Sequence, residues 1–198
     1  MIEQENVIAF FNECAGSWDA GMVRSDAKIG RILDNTGVTA GSRVLDVACG
    51  TGVLIGDYLR RNVRSVTAVD IAPEMLRIAR EKYPQKNVRF VCGDAVTADL
   101  GRDFDAIVVY NAFPHFPDPD ALIAHLASLL APGGRLTVAH GSSRAAIDAH
   151  HHGAASRVSN GLMEADALAA IFARYLRVTT VLSTDEMYQV VGEKPKEE

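Results

Sequence analysis

The sequence predicts an α/β fold: a seven-stranded, mostly parallel sheet with helices on both faces and an antiparallel hairpin at its end. From Val44 onward, short apolar runs rich in β-branched residues alternate with longer segments of helical periodicity, which is typical of parallel strands joined by crossover helices. Near the C-terminus, only Thr184 and Asp185 separate two strand-like runs. Two residues are too few for a crossover, so the last strand must pair antiparallel with its predecessor.

Each element is predicted from its apolar period and its flanking turn residues. Pro73 and Pro119 mark the first turns of two helices, where proline is favoured. Ala-Pro-Gly-Gly at 131–134 predicts a helix stop followed by a turn. The predicted strands are 43–48, 65–69, 88–92, 104–110, 135–140, 176–183 and 186–192, and the helices between them are 53–61, 73–83, 119–130 and 164–175.

Two amphipathic helices, 3–15 and 24–36, are expected to precede the sheet and to cap its carboxyl edge. No internal repeat or linker divides the chain. We therefore expect one domain over 1–198, with 1–37 forming lid or cap helices and 141–161 forming an active-site loop.

Composition narrows the classes of partner. Twenty basic and 25 acidic residues give a net charge of −5 and a pI near 5.7, which disfavours binding to nucleic-acid backbones. No apolar run approaches the roughly 20 residues that span a bilayer, so no membrane insertion is expected. Cys14, Cys49 and Cys92 are odd in number and lack CxxC spacing, which favours a reducing cytoplasm.

A glycine turn after the first strand carries the clearest functional signal. Asp46 ends the strand, and Gly50 and Gly52 follow it where a helix begins. Glycines at such a turn let the backbone approach a ligand. Asp70 ends the second strand 18 residues past Gly52, close to the offset at which an acid reaches a ribose hydroxyl. Asp94 follows the third strand at the same sheet edge, so the pattern predicts a nucleoside-containing cofactor.

The charges around this turn discriminate between cofactors. No Lys or Arg occurs between Val44 and Asp57, whereas a triphosphate loop needs a lysine. The glycines at 50, 52 and 56 place the third one position late for a dinucleotide fingerprint, so NAD is the second choice. S-adenosylmethionine has no phosphate and carries a sulfonium and an ammonium, which suit a pocket containing Asp46.

These motifs resemble those of the class I S-adenosylmethionine-dependent methyltransferases of the Rossmann-like, small-molecule type, and the resemblance covers nearly the whole chain. Residues 45–52 resemble the family's first-strand motif, with Ala48 in place of its first glycine. The resemblance implies that Asp70 holds both ribose hydroxyls and that Asp94 takes the adenine amino group, with the Ala95 amide near the ring. The implied cofactor-binding residues are Asp46, Ala48, Cys49, Gly50, Gly52, Asp70, Ile71, Met75, Gly93, Asp94, Ala95 and Asn111.

The end of the fourth strand is where this family lines the methyl acceptor. Asn111 is expected to face the methionine end of the cofactor, Phe113 and Phe116 to wall the methyl group, and His115 to act as a base. The Asn-Pro-Pro-aromatic signature of enzymes that methylate amino groups of DNA bases or protein glutamine is absent. A small-molecule acceptor is therefore expected.

Histidines cluster after the fifth strand, where His140 is followed by His150, His151 and His152. We expect 142–160 to form a lid, with His140 and at least one of these three facing the substrate. Metal binding, base catalysis and a solvent-facing lid all stay open for them. No metal is assigned, and His115 and His140 are the predicted catalytic residues.

The functional prediction is S-adenosylmethionine-dependent methyl transfer to a small-molecule acceptor by in-line displacement. An NAD-linked oxidoreductase and a non-catalytic S-adenosylmethionine-binding module remain alternatives. The sequence does not identify the acceptor or the oligomeric state.

Overall fold

The structure is a computed structural model that describes residues 2–151 and 157–196, except for the side chains of 148–151. Seven strands form one sheet in the order β3-β2-β1-β4-β5-β7-β6. β7 pairs antiparallel with both β5 and β6, and the other strand pairs are parallel. The predicted α/β fold and its terminal hairpin are confirmed. The strands are β1 Arg43–Val47, β2 Ser65–Asp70, β3 Val88–Cys92, β4 Phe104–Tyr110, β5 Leu130–His140, β6 Arg177–Ser183 and β7 Tyr188–Glu193.

The helices follow the predicted order, with additional short elements. Ser25 and Asp118 cap their helices by accepting hydrogen bonds from the backbone N–H groups of Lys28 and Ala121, as N-cap residues commonly do. Short 3₁₀ turns occupy Ala15–Ser17 and Phe113–His115. The α-helices are α1 Gln4–Cys14, α2 Trp18–Gly21, α3 Asp26–Thr36, α4 Ile55–Arg60, α5 Pro73–Lys82, α6 Pro119–Leu129, α7 Arg144–His151 and α8 Ala165–Phe172.

The segment 131–134 stops a helix as predicted, but it continues as strand rather than as a turn. α6 ends at Leu129, and β5 begins at the next residue. The pairing of β5 with β4 shifts register before Arg135. Gly133 has a φ of 77° and donates a backbone hydrogen bond to Lys194, at 2.9 Å. This long-range partner keeps the segment extended, as an irregular strand start.

The connection after β5 contains a helix that the sequence prediction treated as loop. α7 occupies Arg144–His151. The Ser143 hydroxyl accepts a hydrogen bond from the Ala146 N–H, at 3.2 Å, which caps the first turn. The predicted active-site loop 141–161 is thus partly helical, and residues 152–156 lie outside the described residues.

Two apolar cores cover opposite faces of the sheet. Alternating residues of β1 divide between them, with Val44 in the core beneath α3 and α4 and Leu45 in the core beneath α6 and α8. Ile29 and Leu33 of α3 are buried in the first core. α3 therefore packs on a sheet face instead of capping the carboxyl edge, and this part of the 1–37 prediction was wrong.

Within residues 2–151 and 157–196, we find no helix with both the length and the apolar character needed to cross a bilayer.

Candidate functional site

A cavity of about 720 Å³ lies at the carboxyl edge of the parallel strands, a size typical of small-molecule sites. The segments that follow β1, β2, β3 and β4 form its floor. α1, α2 and the chain between α2 and α3 form its roof. This is the edge at which open α/β sheets bind ligands.

The turn after β1 brings backbone into the cavity. Ala48 and Gly50 both have left-handed φ values, 54° and 55°, and both line the cavity. A Cβ on Gly50 would meet no heavy atom within 4 Å. Gly52 does not line the cavity; a Cβ there would lie 2.8 Å from the Tyr83 ring. The structure thus gives Gly52 a packing role, because its missing side chain makes room for the Tyr83 ring, and its predicted contact with the cofactor stays a prediction.

Asp70 joins the cavity to the glycine turn. Its Oδ2 accepts a hydrogen bond from Gly50 N at 2.8 Å, and its Oδ1 accepts one from Ala72 N at 2.9 Å. Burial raises the pKa of this carboxyl, while hydrogen bonds from backbone N–H groups, those of Ala72 and Gly50 first, oppose the rise. Asp70 thus has a structural role at the turn as well as a place in the cavity wall.

Asp46 is a buried carboxyl in the cavity wall, only 2% exposed. Its Oδ2 has no hydrogen-bond partner among the described residues. Burial raises its pKa to about 8; the neighbouring Tyr58 hydroxyl lowers the pKa and the charge of Asp70 raises it. A buried acceptor without a donor is costly, so this oxygen suits a ligand that brings a donor or a positive charge.

Asp94 stands at the third strand end. Its Oδ1 accepts a hydrogen bond from Val96 N, and its Oδ2 accepts one from the Gln4 side-chain amide, both at 2.7 Å. Gly93 and Ala95 flank it in the cavity wall. No lysine or arginine occurs among the described residues that line the cavity, so its charged groups are acidic.

The remaining residues predicted to bind the cofactor lie close by. Cys49, Ile71 and Met75 line the same part of the cavity. Asn111 also lines it, while its Oδ1 accepts a hydrogen bond from Gly141 N at 3.0 Å. Asn111 therefore joins the ends of β4 and β5.

The roof contains functional candidates that the sequence analysis missed. Asp19 accepts hydrogen bonds from the Thr51 hydroxyl at 2.5 Å and from Lys82 Nζ at 2.7 Å. Burial raises the pKa of Asp19, but these two donors hold it below its ordinary value. Asp19 thereby fastens α2 to the glycine turn, and Gln4 fastens α1 to Asp94. Both contacts join residues distant in sequence, so no local pattern signals them.

Aromatic rings gather at the other end of the cavity. Phe11 makes edge contacts with Trp18 and with the His115 imidazole, at centroid distances of 5.6 and 5.0 Å. His115 Nδ1 lies 2.7 Å from the Val158 carbonyl oxygen. Phe116 lines the cavity, whereas Phe113 is buried in the core beneath α6 and does not.

His140 does not reach the cavity. It is 3% exposed and makes an edge contact with the Tyr188 ring, at a centroid distance of 6.0 Å. Lying two residues after Val138, it shares that residue's face of β5, which is turned toward the core beneath α6 and α8. The expectation that His140 faces the substrate was wrong. His152 and the side chains of His150 and His151 lie outside the described part.

Comparisons with known proteins support one family. The family model described as "Methyltransferase domain" matches residues 44–134. Ubiquinone biosynthesis O-methyltransferase of Xanthomonas axonopodis pv. citri is 42% identical over 101 residues, which cover 49% of this chain and 42% of that protein. The protein of the same name from Xylella fastidiosa is 42% identical over 103 residues. The matches span less than half the length of these relatives.

Solved structures share the fold. An O-methyltransferase family protein from Burkholderia thailandensis aligns with a TM-score of 0.78 and 19% identity, over 100% of this chain and 64% of that one. The N-methyltransferase NodS from Bradyrhizobium japonicum, in complex with S-adenosyl-L-homocysteine, aligns with a TM-score of 0.67 and 17% identity, over 86% and 87%. At these identities the likeness concerns the fold.

Proposed function

We propose that this chain, which belongs to the class I S-adenosylmethionine-dependent methyltransferases, transfers a methyl group from S-adenosylmethionine to a small-molecule acceptor. The observation that carries the proposal is the set of three aspartates at successive strand ends around one cavity. No lysine or arginine among the described residues lines that cavity. Phosphate-bearing cofactors would lack a cationic partner there, whereas a cationic cofactor would meet acidic groups.

The aspartates and the glycine turn fit the parts of this cofactor. Asp70 would hold the ribose hydroxyls, and Asp94 would accept from the adenine amino group. Asp46 would face the positively charged methionine end, and the lack of a hydrogen-bond partner for its Oδ2 among the described residues supports the assignment. The open space at Gly50 admits the ligand beside the backbone. The cofactor, when bound, would supply a methyl group on a sulfonium, whose C–S bond breaks readily because a neutral thioether leaves.

The chain's own contribution to the chemistry is alignment and exclusion of water. The roof segment closes the cavity above the floor, and the rings of Phe11, Trp18 and Phe116 provide an apolar end for the acceptor. This lining favours an uncharged, apolar or aromatic acceptor over a carboxylate or phosphate. The two O-methyltransferase relatives support a hydroxyl as the accepting group.

His115 is the proposed base for such a hydroxyl. The Val158 carbonyl can only accept, so His115 Nδ1 carries the proton of that hydrogen bond and Nε2 is the basic atom. The Phe11 edge contact holds the ring in place. Nε2 would take the hydroxyl proton as the oxygen attacks the methyl group. The segment 141–161 remains the proposed border of the acceptor site, within one methyltransferase domain.

A screen with methyl-labelled S-adenosylmethionine over a metabolite extract tests the proposal. We expect label to enter a small molecule, which would exclude the binding-module alternative. His115→Ala should lower kcat by about a hundredfold or more with cofactor affinity unchanged. His125→Ala, a histidine on α6 outside the cavity lining, is the matched control. Binding of NAD without transfer of label would support the oxidoreductase instead.

A further inference from the structure

Gln4 brings the first turn of α1 to the acid at the third strand end. Its Nε2 donates to Asp94 Oδ2 at 2.7 Å, across 90 residues of sequence, and both residues line the cavity. An ionised carboxylate only accepts hydrogen bonds, so the amide nitrogen faces Asp94. The amide oxygen, Oε1, is bonded to the same carbon as Nε2, so the Gln4 amide group that contacts Asp94 also carries a hydrogen-bond acceptor.

α1 has anchors other than this contact. Asn12 Oδ1 accepts a hydrogen bond from Glu74 N at 3.1 Å, at the beginning of α5. Ala15, directly after α1, packs with Ala72 and Met75. The Gln4 side chain is itself exposed. Removing its amide therefore leaves the main docking contacts of α1 intact.

We propose that Gln4 is a specificity-determining residue that recognises, together with Asp94, the exocyclic amino group of the cofactor's adenine. This inference rests on the proposed function, which places adenine beside Asp94. Asp94 Oδ1 is engaged by Val96 N, while Oδ2 keeps a second lone pair beyond the Gln4 bond. Oδ2 and Gln4 Oε1 together present two acceptors to the two N–H donors of an amino group.

This arrangement selects the base as well as closing the site. A base with a carbonyl in place of the amino group would place an acceptor opposite Asp94 Oδ2 and Gln4 Oε1, which are also acceptors. Such a base would therefore lose both hydrogen bonds. Because Gln4 belongs to the roof, recognition of the amino group also ties α1 to the cofactor. Trp18, the single tryptophan of the chain, lies in the same roof and lines the cavity, so its fluorescence reports ligand binding beneath α1.

The test compares S-adenosylhomocysteine with S-inosylhomocysteine. The base of the first carries an exocyclic amino group, and the base of the second carries a carbonyl oxygen at the same position. Dissociation constants are measured by calorimetry and by Trp18 fluorescence for the full chain and for Gln4→Ala. We expect the variant to bind S-adenosylhomocysteine about three- to tenfold more weakly. The dissociation constant for S-inosylhomocysteine should change by less than about twofold, so discrimination between the ligands falls.

Two further variants keep the test decisive. Gln4→Met keeps the side-chain length and the helix propensity and should behave as Gln4→Ala does. Asn6→Ala is the matched control, because Asn6 lies on the same helix and its Nδ2 donates to the exposed Glu3 carboxylate, at 3.0 Å. It should leave both affinities unchanged.

Each contrary result has a separate meaning. Equal weakening of both ligands, unchanged affinity or tighter binding in both Gln4 variants would overturn the role of Gln4 while leaving the proposed function in place. Failure of the unmodified chain to bind S-adenosylhomocysteine would overturn the proposed function, and this inference with it.

Discussion

The three aspartates of the cavity differ in their hydrogen-bond partners, and this difference decides what each can do. Asp70 already accepts two backbone N–H groups. Asp94 shares its oxygens between a backbone N–H and the roof. Asp46 Oδ2 has no partner among the described residues. Asp70 therefore holds the glycine turn, Asp94 joins the third strand end to α1, and Asp46 offers a buried oxygen suited to a cation.

Replacing Asp70 tests both of its roles. Asp70→Ala should raise the dissociation constant for S-adenosylmethionine about thirty- to a thousandfold, because two charge-assisted hydrogen bonds are lost. It should also lower the free energy of unfolding by about 1–3 kcal/mol, since Gly50 N loses its buried acceptor. Calorimetry and urea denaturation measure the two effects. Asp166→Ala, at an exposed position on α8, is the control, and unchanged affinity in Asp70→Ala would remove Asp70 from the site.

The raised pKa of Asp46 predicts how stability depends on pH. Burial raises the pKa of this carboxyl from its ordinary value of 3.8 to about 8 in the folded protein, so the folded state holds a proton between these pH values that the unfolded state releases. The contribution of Asp46 to the free energy of unfolding therefore falls as pH rises from about 4 to about 8. Asp46→Asn should flatten this dependence in urea denaturation series from pH 5 to pH 8. An identical slope in the variant would contradict the burial account.

Ala48 stands where the family motif has glycine, and its φ of 54° is left-handed. An L-residue is strained there by roughly 1–2 kcal/mol. Ala48→Gly should therefore raise the free energy of unfolding by about 1 kcal/mol. Ala72→Gly, at an ordinary φ of −93°, should lower it. The comparison fails if thermal or urea denaturation shows both variants shifted in the same direction.

Among the helices and strands, the sequence predicted best those elements whose bounds are set by local sequence patterns. Strands 88–92 and 104–110 match β3 and β4, because apolar β-branched runs end at turn residues. The start of β5 was missed because its partner, Lys194, is distant in sequence. The predicted position of α3 was wrong because an amphipathic pattern indicates that one helix face is buried but does not identify the surface on which that face packs.

In the site too, local patterns predicted some residues, and contacts between distant parts of the chain determine others. The strand-end aspartates and His115 were placed at the cavity by their positions after strands, which a parallel topology brings together. His140 also ends a strand, but the face toward which it points depends on where β5 pairs. Gln4 and Tyr58 went unnoticed, since each reaches an aspartate through tertiary packing alone.

The packing of α8 on the terminal hairpin can be tested by adding a methyl group at its contact with β7. A Cβ on Gly192 of β7 would lie 2.8 Å from the Phe172 ring and 2.9 Å from Leu176. Gly192→Ala should lower the free energy of unfolding by about 1–3 kcal/mol, because α8 must move off the sheet. Gly16→Ala, with open space around its Cβ, should have little effect. Equal stability of the two variants in urea denaturation would refute this packing.

At the scale of the whole molecule, the fold brings four strand ends and an N-terminal roof around one cavity. The sheet supplies rigid positions for the aspartates, and the roof supplies the rings of Phe11 and Trp18 and the contacts of Gln4 and Asp19. The two ubiquinone biosynthesis O-methyltransferases are each more than twice as long as the segment that matches this chain. The acceptor proposed for this chain is therefore argued from its own cavity lining.

Binding of S-adenosylmethionine in this cavity can be measured by titration calorimetry of the full chain. We expect one S-adenosylmethionine bound per chain, displacement by S-adenosylhomocysteine, and no heat of binding with NAD or NADP. Substituting Asp70 and Asp94 together by alanine should abolish the signal while the chain stays folded. Saturable binding of NAD, or undiminished S-adenosylmethionine binding in the double variant, would show that this cavity is not an S-adenosylmethionine site.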